Sequence, residues 1–369
     1  MPSHVEILTT EGDDARRWQA VLEALPSDRR DVHYCPGYSA LYAENGVEAR
    51  AALFHADSGD VLYPFLTRPI AIDGEQPVVE GRPARDIAMP YGIGGPVCTA
   101  PAADRPGLYR RFDAAFVDWC RQEGLASEFL CPHMFTGSLE LVRENPAYRL
   151  EAVKPVVVVD LAGGPQELHS QLRKGHKSDI GRARKSGVRV ERVEPDAALY
   201  TAFNQLYTAT MDRHRAARRW YFEDHYFRSC RELLGQESCA FFLARAEDGG
   251  LAAWCIVIVH GPTAYYHFAA SDPLHAAAKP STLMVHEVCL WAQARGCKRL
   301  YMGGGATLAP DDGIYRFKSG FSKHTVTLYA ACRILDEGTY DALCRIKARS
   351  EQHLAQPPAN PDFFPFYRR

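Results

Sequence analysis

Apolar and polar positions along the chain follow two periods. Short apolar or alternating runs predict strands over 5–8, 47–55, 61–66, 126–130, 155–161, 188–193, 240–246, 252–260, 263–270, 298–302 and 329–334. Apolar residues at helical spacing predict helices over 14–25, 105–123, 165–172, 196–211, 222–234, 281–294 and 338–349. In the second of these, Phe112, Phe116 and Trp119 fall on one side. Asp13 or Asp14 is placed to cap the first. Asp57-Ser-Gly-Asp60 reads as a hairpin turn, Pro64 marks its second strand as an edge or a strand end, and 70–86 reads as loop. The run 155–161 is almost wholly apolar, as in a sheet covered on both faces. The aromatic tail 361–369 is expected to dock.

From residue 151 the order is strand, helix, strand, helices, a three-strand meander, helix, strand, helix, strand, and the first half repeats a shorter version. This predicts an α/β (mixed α+β) class with two similar units, each a mixed central sheet flanked by helices. Asn145-Pro146 marks the boundary, giving domains 1–150 and 151–369.

Composition narrows the options. At 369 residues and 46% hydrophobic content, two packed cores are the prior. A net charge of −2 gives no global field for nucleic acid or membrane, so a polyanion site must be a local patch. No apolar run spans a bilayer, and the first residues lack signal-peptide character. Eleven scattered cysteines without Cys-x-x-Cys or zinc spacing read as buried free thiols of a reducing cytoplasm, with no metal expected.

Four segments carry candidate chemistry. Gly303-Gly-Gly305 ends a strand and frees the backbone for close approach. A loop of turn formers (Pro310, Asp311, Asp312, Gly313) follows. Beyond it Phe317 and Phe321 share a helix face and Lys318 points elsewhere. A lysine beside a glycine-lined concavity can meet a developing oxyanion; a plain loop and a solvated lysine fit the same residues. The second segment is the basic run Arg173 to Lys185, with Lys174, Lys177, Arg182, Arg184 and one acid, Asp179. It reads as a phosphate-binding patch or as a solvated helix face. The third, Asp212 to Tyr221, mixes Arg213 and other arginines with Trp220 and Tyr221, suiting a nucleotide or an ordinary helix interface. The fourth, Met89-Pro-Tyr-Gly-Ile-Gly-Gly-Pro96, holds Tyr91 in an irregular backbone.

The order of elements, the segment 172–188, Gly303–Gly305 followed by Phe317-Lys-Ser-Gly-Phe321, and the loop 89–96 resemble the Fem-like branch of the GNAT superfamily over nearly the whole chain. The resemblance implies two tandem GNAT-like domains. It implies a cytoplasmic aminoacyltransferase that moves an amino acid from aminoacyl-tRNA to the amine of a cell-wall precursor or natural-product intermediate. No cofactor is implied beyond the aminoacyl-tRNA co-substrate. Phe317 and Lys318 match the pair placed at the aminoacyl ester, with Gly304 and Gly305 beside them, and residues 173–185 with Arg213 would hold the tRNA end. Tyr266, Phe268 and Ser271 would line the acceptor channel, Tyr91, His133 and Asp212 would bind the acceptor with them, and Tyr266, Asp212 or His133 are the candidates to move a proton. Phe268 stands where some members carry tyrosine. His133 stands where cell-wall members carry an aspartate, and Cys131 replaces a usual arginine. These departures speak against a peptidoglycan acceptor. The alternatives are an acyl-CoA-dependent N-acyltransferase on the same scaffold and an RNA-binding module without catalysis; the Arg/Gln-x-x-Gly-x-Gly/Ala pyrophosphate loop that the superfamily's acyl-CoA members carry is not found here, which argues against acetyl-CoA.

Overall fold

The computed structural model describes residues 4–309, 311–351 and 363–369. Pro310 of the turn after the glycines, and residues 361 and 362 of the tail, lie outside them. The chain runs β1 (Glu6–Thr9), α1 (Gly12–Ala24), α2 (Pro36–Ala40), β2 (Glu48–Ala56), β3 (Gly59–Pro69), β4 (Val78–Val79), β5 (Arg82–Pro83), β6 (Arg85–Ala88), β7 (Val97–Cys98), α3 (Arg105–Gln122), β8 (Leu125–Leu130) and α4 (Ser138–Arg143). It continues with β9 (Arg149–Asp160), α5 (Pro165–Gln171), α6 (Lys174–Lys185), β10 (Arg189–Val193), α7 (Ala197–Arg213), α8 (Asp224–Ser238), β11 (Cys239–Arg245), β12 (Leu251–His260), β13 (Thr263–Ser271), α9 (Pro280–Ala294), β14 (Arg299–Gly303), α10 (Gly313–Lys318), β15 (Thr325–Ile334) and α11 (Glu337–Glu351). Two compact units result: Met1–Val153 with Leu328–Arg369, and Lys154–Thr327. Among the described residues no helix is long and apolar enough to cross a membrane.

In the first unit the strands lie in the order β1-β2-β3-β6-β8-β15, with β7 also on β3; β6 and β8 are parallel. Helix α3 buries Phe112 and Phe116, one turn apart, against Tyr63 and Phe65 of β3. Burial of each such ring contributes roughly 1.5–3 kcal/mol, and Phe116→Ala would cost about 3–5 kcal/mol. A buried polar network lies beside this core. Glu128 accepts from the Tyr63 hydroxyl, from Tyr148 Oη at 2.8 Å and from Arg333 Nε at 2.5 Å, while Arg333 Nη1 reaches Asp113 at 2.7 Å.

Several expectations change here. Residues 328–369 belong to the first unit, not the second, and the break falls at 153/154 instead of 150/151. The cause is pairing and docking: β15 pairs with β8 over Ala331–Ile334. The tail then seats Tyr367, whose hydroxyl bonds Ser127 at 2.7 Å, and Arg368, which holds buried Asp86. Segment 70–86 is not all loop, since it carries β4, β5 and the start of β6. Pro64 is neither at an edge nor at a strand end. On the side of β3 away from β2, β7 pairs at 61–62 and β6 from 66, so Pro64 lies in the unpaired interval. Neither Asp13 nor Asp14 caps α1: Glu11 is the N-cap, and Asp14 binds Thr9 instead.

In the second unit the order is β9-β14-β13-β12-β11-β10. Val156 to Val159 of β9 are at most 2% exposed, as expected for a strand covered on both faces. Helix α9 packs on one face of the sheet through Leu283, Val285, Val288 and Ala292. On the other face Phe203 of α7 stacks on Trp254 of β12 at 4.8 Å between ring centroids. Strands β13 and β14 are parallel, joined through α9, and their pairing stops at Tyr265/Tyr301. Helices α9 and α10 therefore both begin just past the carboxyl ends of parallel strands, where α/β sheets commonly open a ligand crevice.

Candidate active site

The second unit brings two lysines onto the glycine turn that ends β14. Lys318 Nζ donates to the Gly304 carbonyl at 2.9 Å, and Lys154 Nζ donates to the Gly305 carbonyl at 2.9 Å. The turn must lack side chains. A Cβ at Gly304 would lie 3.0 Å from Lys154 Cδ, and one at Gly305 would lie 2.6 Å from Asp312 Oδ1. Asp312 fixes the other wall as the N-cap of α10, accepting from Tyr315 N at 2.8 Å and from Thr307 N and Oγ1 at 2.9 and 3.0 Å. Burial pushes its carboxyl up, but these hydrogen bonds outweigh that and hold it below its ordinary value. Lys318 is half-buried, and its ammonium is pushed down to about 8, by burial first and by neighbouring Lys154 second.

Helix α6 docks onto this segment. Its buried stripe is His176, Ile180 and Ala183, at helical spacing. His176 Nε2 bonds the Phe317 carbonyl at 2.9 Å, and its ring lies edge-on to Phe321 at 4.6 Å. Arg173 N donates to the Gly320 carbonyl at 2.9 Å. A Cβ at Gly320 would overlap the His176 ring, so glycine is required for this seat. Between α6, α10, the end of β13 and the start of α9 opens a cleft of about 380 Å³. Arg173, Lys279 and Arg316 line it against Asp179 and Asp272. The N-cap of α9, Lys279, supplies no side-chain cap, so the first turn of a 15-residue helix meets the cleft.

In the first unit the loop 89–96 is pinned beside His133. His133 N donates to the Gly94 carbonyl at 2.8 Å, and Gly94 N to the Cys131 carbonyl at 2.9 Å. His133 Nδ1 accepts from Phe135 N at 3.1 Å, so its proton is on Nε2, which meets Asp31 Oδ2 at 3.2 Å. His33 Nδ1 reaches Asp31 Oδ1 at 2.7 Å. Burial opposes the Asp31 charge, but the two imidazoles more than offset it and hold the carboxyl far below the usual range. Burial pushes His33 down, toward the neutral ring. Asp31, His33 and His133 are, among the described residues, the one His/Cys/Asp/Glu group close enough to share a metal ion. The hydrogen bonds instead describe a carboxylate shared by two imidazoles, and an ion would have to displace both protons. Tyr91 lies next to this group, its carbonyl accepting from Tyr38 Oη at 2.5 Å.

Residues 170–319 match the family model of the Acetyltransferase (GNAT) domain. This segment is a GNAT acyltransferase domain. No curated protein sequence matches the chain. Among solved structures, FemX is similar at a TM-score of 0.69 and 13% identity, covering 91% of this chain and 99% of that one. L-PGS from Bacillus licheniformis follows at 0.55 and 12%, covering 93% and 99%. The C-terminal DUF2156 domain assigned to a lysylphosphatidylglycerol synthetase of Agrobacterium fabrum gives 0.52 and 14%, covering 92% and 96%. At these identities the likeness is one of fold: the chain has the tandem GNAT architecture of the Fem type.

Within the GNAT domain the expected residues divide. Phe317, Lys318, Gly304 and Gly305 come together as described. Tyr266 and Phe268, expected on one channel wall, lie on opposite faces of the sheet. The register shift between Ile256 and Val257 inserts a bulge at His267. Tyr266 thus packs with the α9-side core, as Phe317 does, while Phe268 joins Tyr207, Phe222 and Tyr226. Ser271 ends β13 in the cleft lining, its carbonyl taking Arg213 Nη2 at 3.2 Å. Asp212 accepts from Tyr221 Oη at 2.8 Å. On α6, Lys174, Arg182 and Lys185 share the outward face, Lys177 is half-buried, and Arg184 is engaged by Glu287 at 3.0 Å. Lys154, Asp312, Lys279, Arg316 and His176 carry site geometry that residue types alone did not assign. Of these, Asp312 had a signal as a turn former ahead of the Lys318 segment and His176 by its place on the apolar stripe of a basic helix.

Proposed function

We propose that the GNAT domain transfers an aminoacyl group from the ester of an aminoacyl-tRNA to an amine. The observation that carries this reading is Lys318: a half-buried ammonium on a side-chain-free turn, next to a helix with a basic outer face. The amine nitrogen attacks the ester carbonyl carbon and negative charge gathers on the carbonyl oxygen. The bond to the ribose oxygen then breaks, and that oxygen takes up the proton the amine gives up. A well-placed donor such as the Lys318 ammonium is worth roughly 3–4 kcal/mol at the oxyanion. With its amine at about 8, Lys318 is charged at neutral pH, as an oxyanion donor must be, and can relay that one proton by giving its own to the leaving oxygen and taking up the one the attacking amine loses. Arg173, Lys174, Lys177, Arg182 and Lys185, with Arg184 and Arg213 beside them, offer the phosphate-neutralising surface, and the cleft at the start of α9 suits a carrier phosphate.

A thioester carrier is the second reading, favoured by the family model's description as an acetyltransferase domain. Incubation with total charged tRNA and an amine pool, with and without ribonuclease, and in parallel with acyl-CoA, separates the two by mass of the acylated product. Ribonuclease-sensitive product supports the first reading. Product from acyl-CoA alone replaces it with the second.

A further inference from the structure

His176 has more order than its fold requires and one atom left over. Its ring is held by the Phe317 carbonyl, the edge of Phe321 and the bare backbone of Gly320. A carbonyl only accepts, so the proton is on Nε2 and Nδ1 presents a lone pair. His176 is 3% exposed, and among the described residues its Nδ1 has no hydrogen-bond partner. A buried acceptor left unmatched is costly, which marks it as waiting for a donor. His176 also lines the 380 Å³ cleft, whose rim carries Arg173, Lys279 and Arg316. With Asp179 and Asp272 opposite them the lining still carries more basic than acidic groups, so the donor that fits is a hydroxyl on an anionic ligand. Burial, with Arg173 nearby, pushes the imidazole toward its neutral form, consistent with an acceptor at Nδ1.

We infer that His176 is a specificity-determining residue. Its Nδ1 accepts a hydrogen bond from a sugar hydroxyl of the phosphorylated carrier, while Arg173, Lys279 and Arg316 meet the carrier's phosphate. The inference rests on the carrier-dependent transfer proposed above and states what the site demands of that carrier: a hydroxyl within reach of a phosphate.

The test titrates the full-length protein with adenosine monophosphate and with its dideoxy analogue, which lacks both sugar hydroxyls. His176→Gln keeps a donor for the Phe317 carbonyl but no acceptor at the Nδ1 position; His176→Asn keeps the acceptor. Thermal unfolding confirms that each variant is folded. Wild type should prefer the hydroxylated nucleotide about tenfold. The preference should vanish in His176→Gln, with dideoxy binding unchanged, and persist in His176→Asn. Equal affinities in wild type, a preference intact in folded His176→Gln, a parallel loss of both ligands in both variants, or no binding of either nucleotide in the millimolar range overturns the inference. Coenzyme A, which also joins a hydroxyl to phosphate, distinguishes the source. His176-dependent binding of coenzyme A without transfer from charged tRNA keeps this residue's role and removes the tRNA reading. Transfer from charged tRNA with no hydroxyl preference does the reverse.

Discussion

Replacing Lys318 with methionine should stabilise the protein while removing its chemistry. The ammonium is pulled from its ordinary 10.5 to about 8, mainly by burial. At about 1.4 kcal/mol per pH unit, keeping it charged at neutral pH costs the fold on the order of 3 kcal/mol. Methionine keeps the apolar stem but loses the bond to the Gly304 carbonyl, and a charged hydrogen bond of this kind is worth about 1.5–3 kcal/mol. The balance favours the variant by about 1 kcal/mol, a rise of roughly 2–4 °C in Tm for a domain of this size. The pH dependence follows from the sign of the change. Between about 8 and 10.5 the unfolded chain binds more protons at this site than the folded one, so wild type gains stability as pH rises through that window. The variant lacks this gain, so its advantage should close by about pH 10. Thermal unfolding of both proteins at several pH values measures it. A variant about 2 kcal/mol less stable than wild type at pH 7, or an advantage that widens with pH, would refute the burial reasoning.

Lys154→Met removes the second cause of the lowered Lys318 ammonium, so the alkaline limb of the pH–rate profile should move up; a limb that stays or moves down contradicts the coupling of the two lysines. Glu128→Gln removes the buried carboxylate that accepts from Arg333 Nε, leaving this buried guanidinium only Asp113 as a charged partner among the described residues. It should cost about 3–5 kcal/mol in chemical denaturation, and a loss under about 1 kcal/mol would show the network to be dispensable. Reversing Lys174, Arg182 and Lys185 to glutamate should weaken binding of charged tRNA and flatten its salt dependence by about one unit of slope for each phosphate no longer neutralised. An unchanged slope would take α6 out of the carrier interface.

The regular elements were legible because burial imposes a period. The all-apolar run around Val156–Val159, the Phe112/Phe116 stripe and the three-strand meander all lie where their patterns put them. What failed depended on partners distant in sequence. Pro64 reads as an edge residue because the gap between β6 and β7 is invisible in its own strand. Tyr266 and Phe268 read as one wall because alternation assumes an unbroken strand, and the bulge at His267 breaks it. Phe317 and Phe321 do meet, at 5.3 Å between ring centroids, but α10 ends at Lys318 and a turn carries Phe321. Residue types located the glycine turn and Lys318. They gave no hint of Lys154, whose partner Gly305 lies 151 positions away. Nor did they join Asp31 to His133, since a buried carboxylate looks like any solvated one until the fold closes over it.

The most direct measurement is the single-turnover rate of amide formation from purified aminoacyl-tRNA, wild type against Lys318→Met, with the dissociation constant for the charged tRNA measured alongside. The proposed role predicts near-equal affinities and a rate lower by about a hundred- to a thousandfold in the variant. Equal rates in the two proteins, or no amide from charged tRNA where acyl-CoA supports its formation, would contradict it.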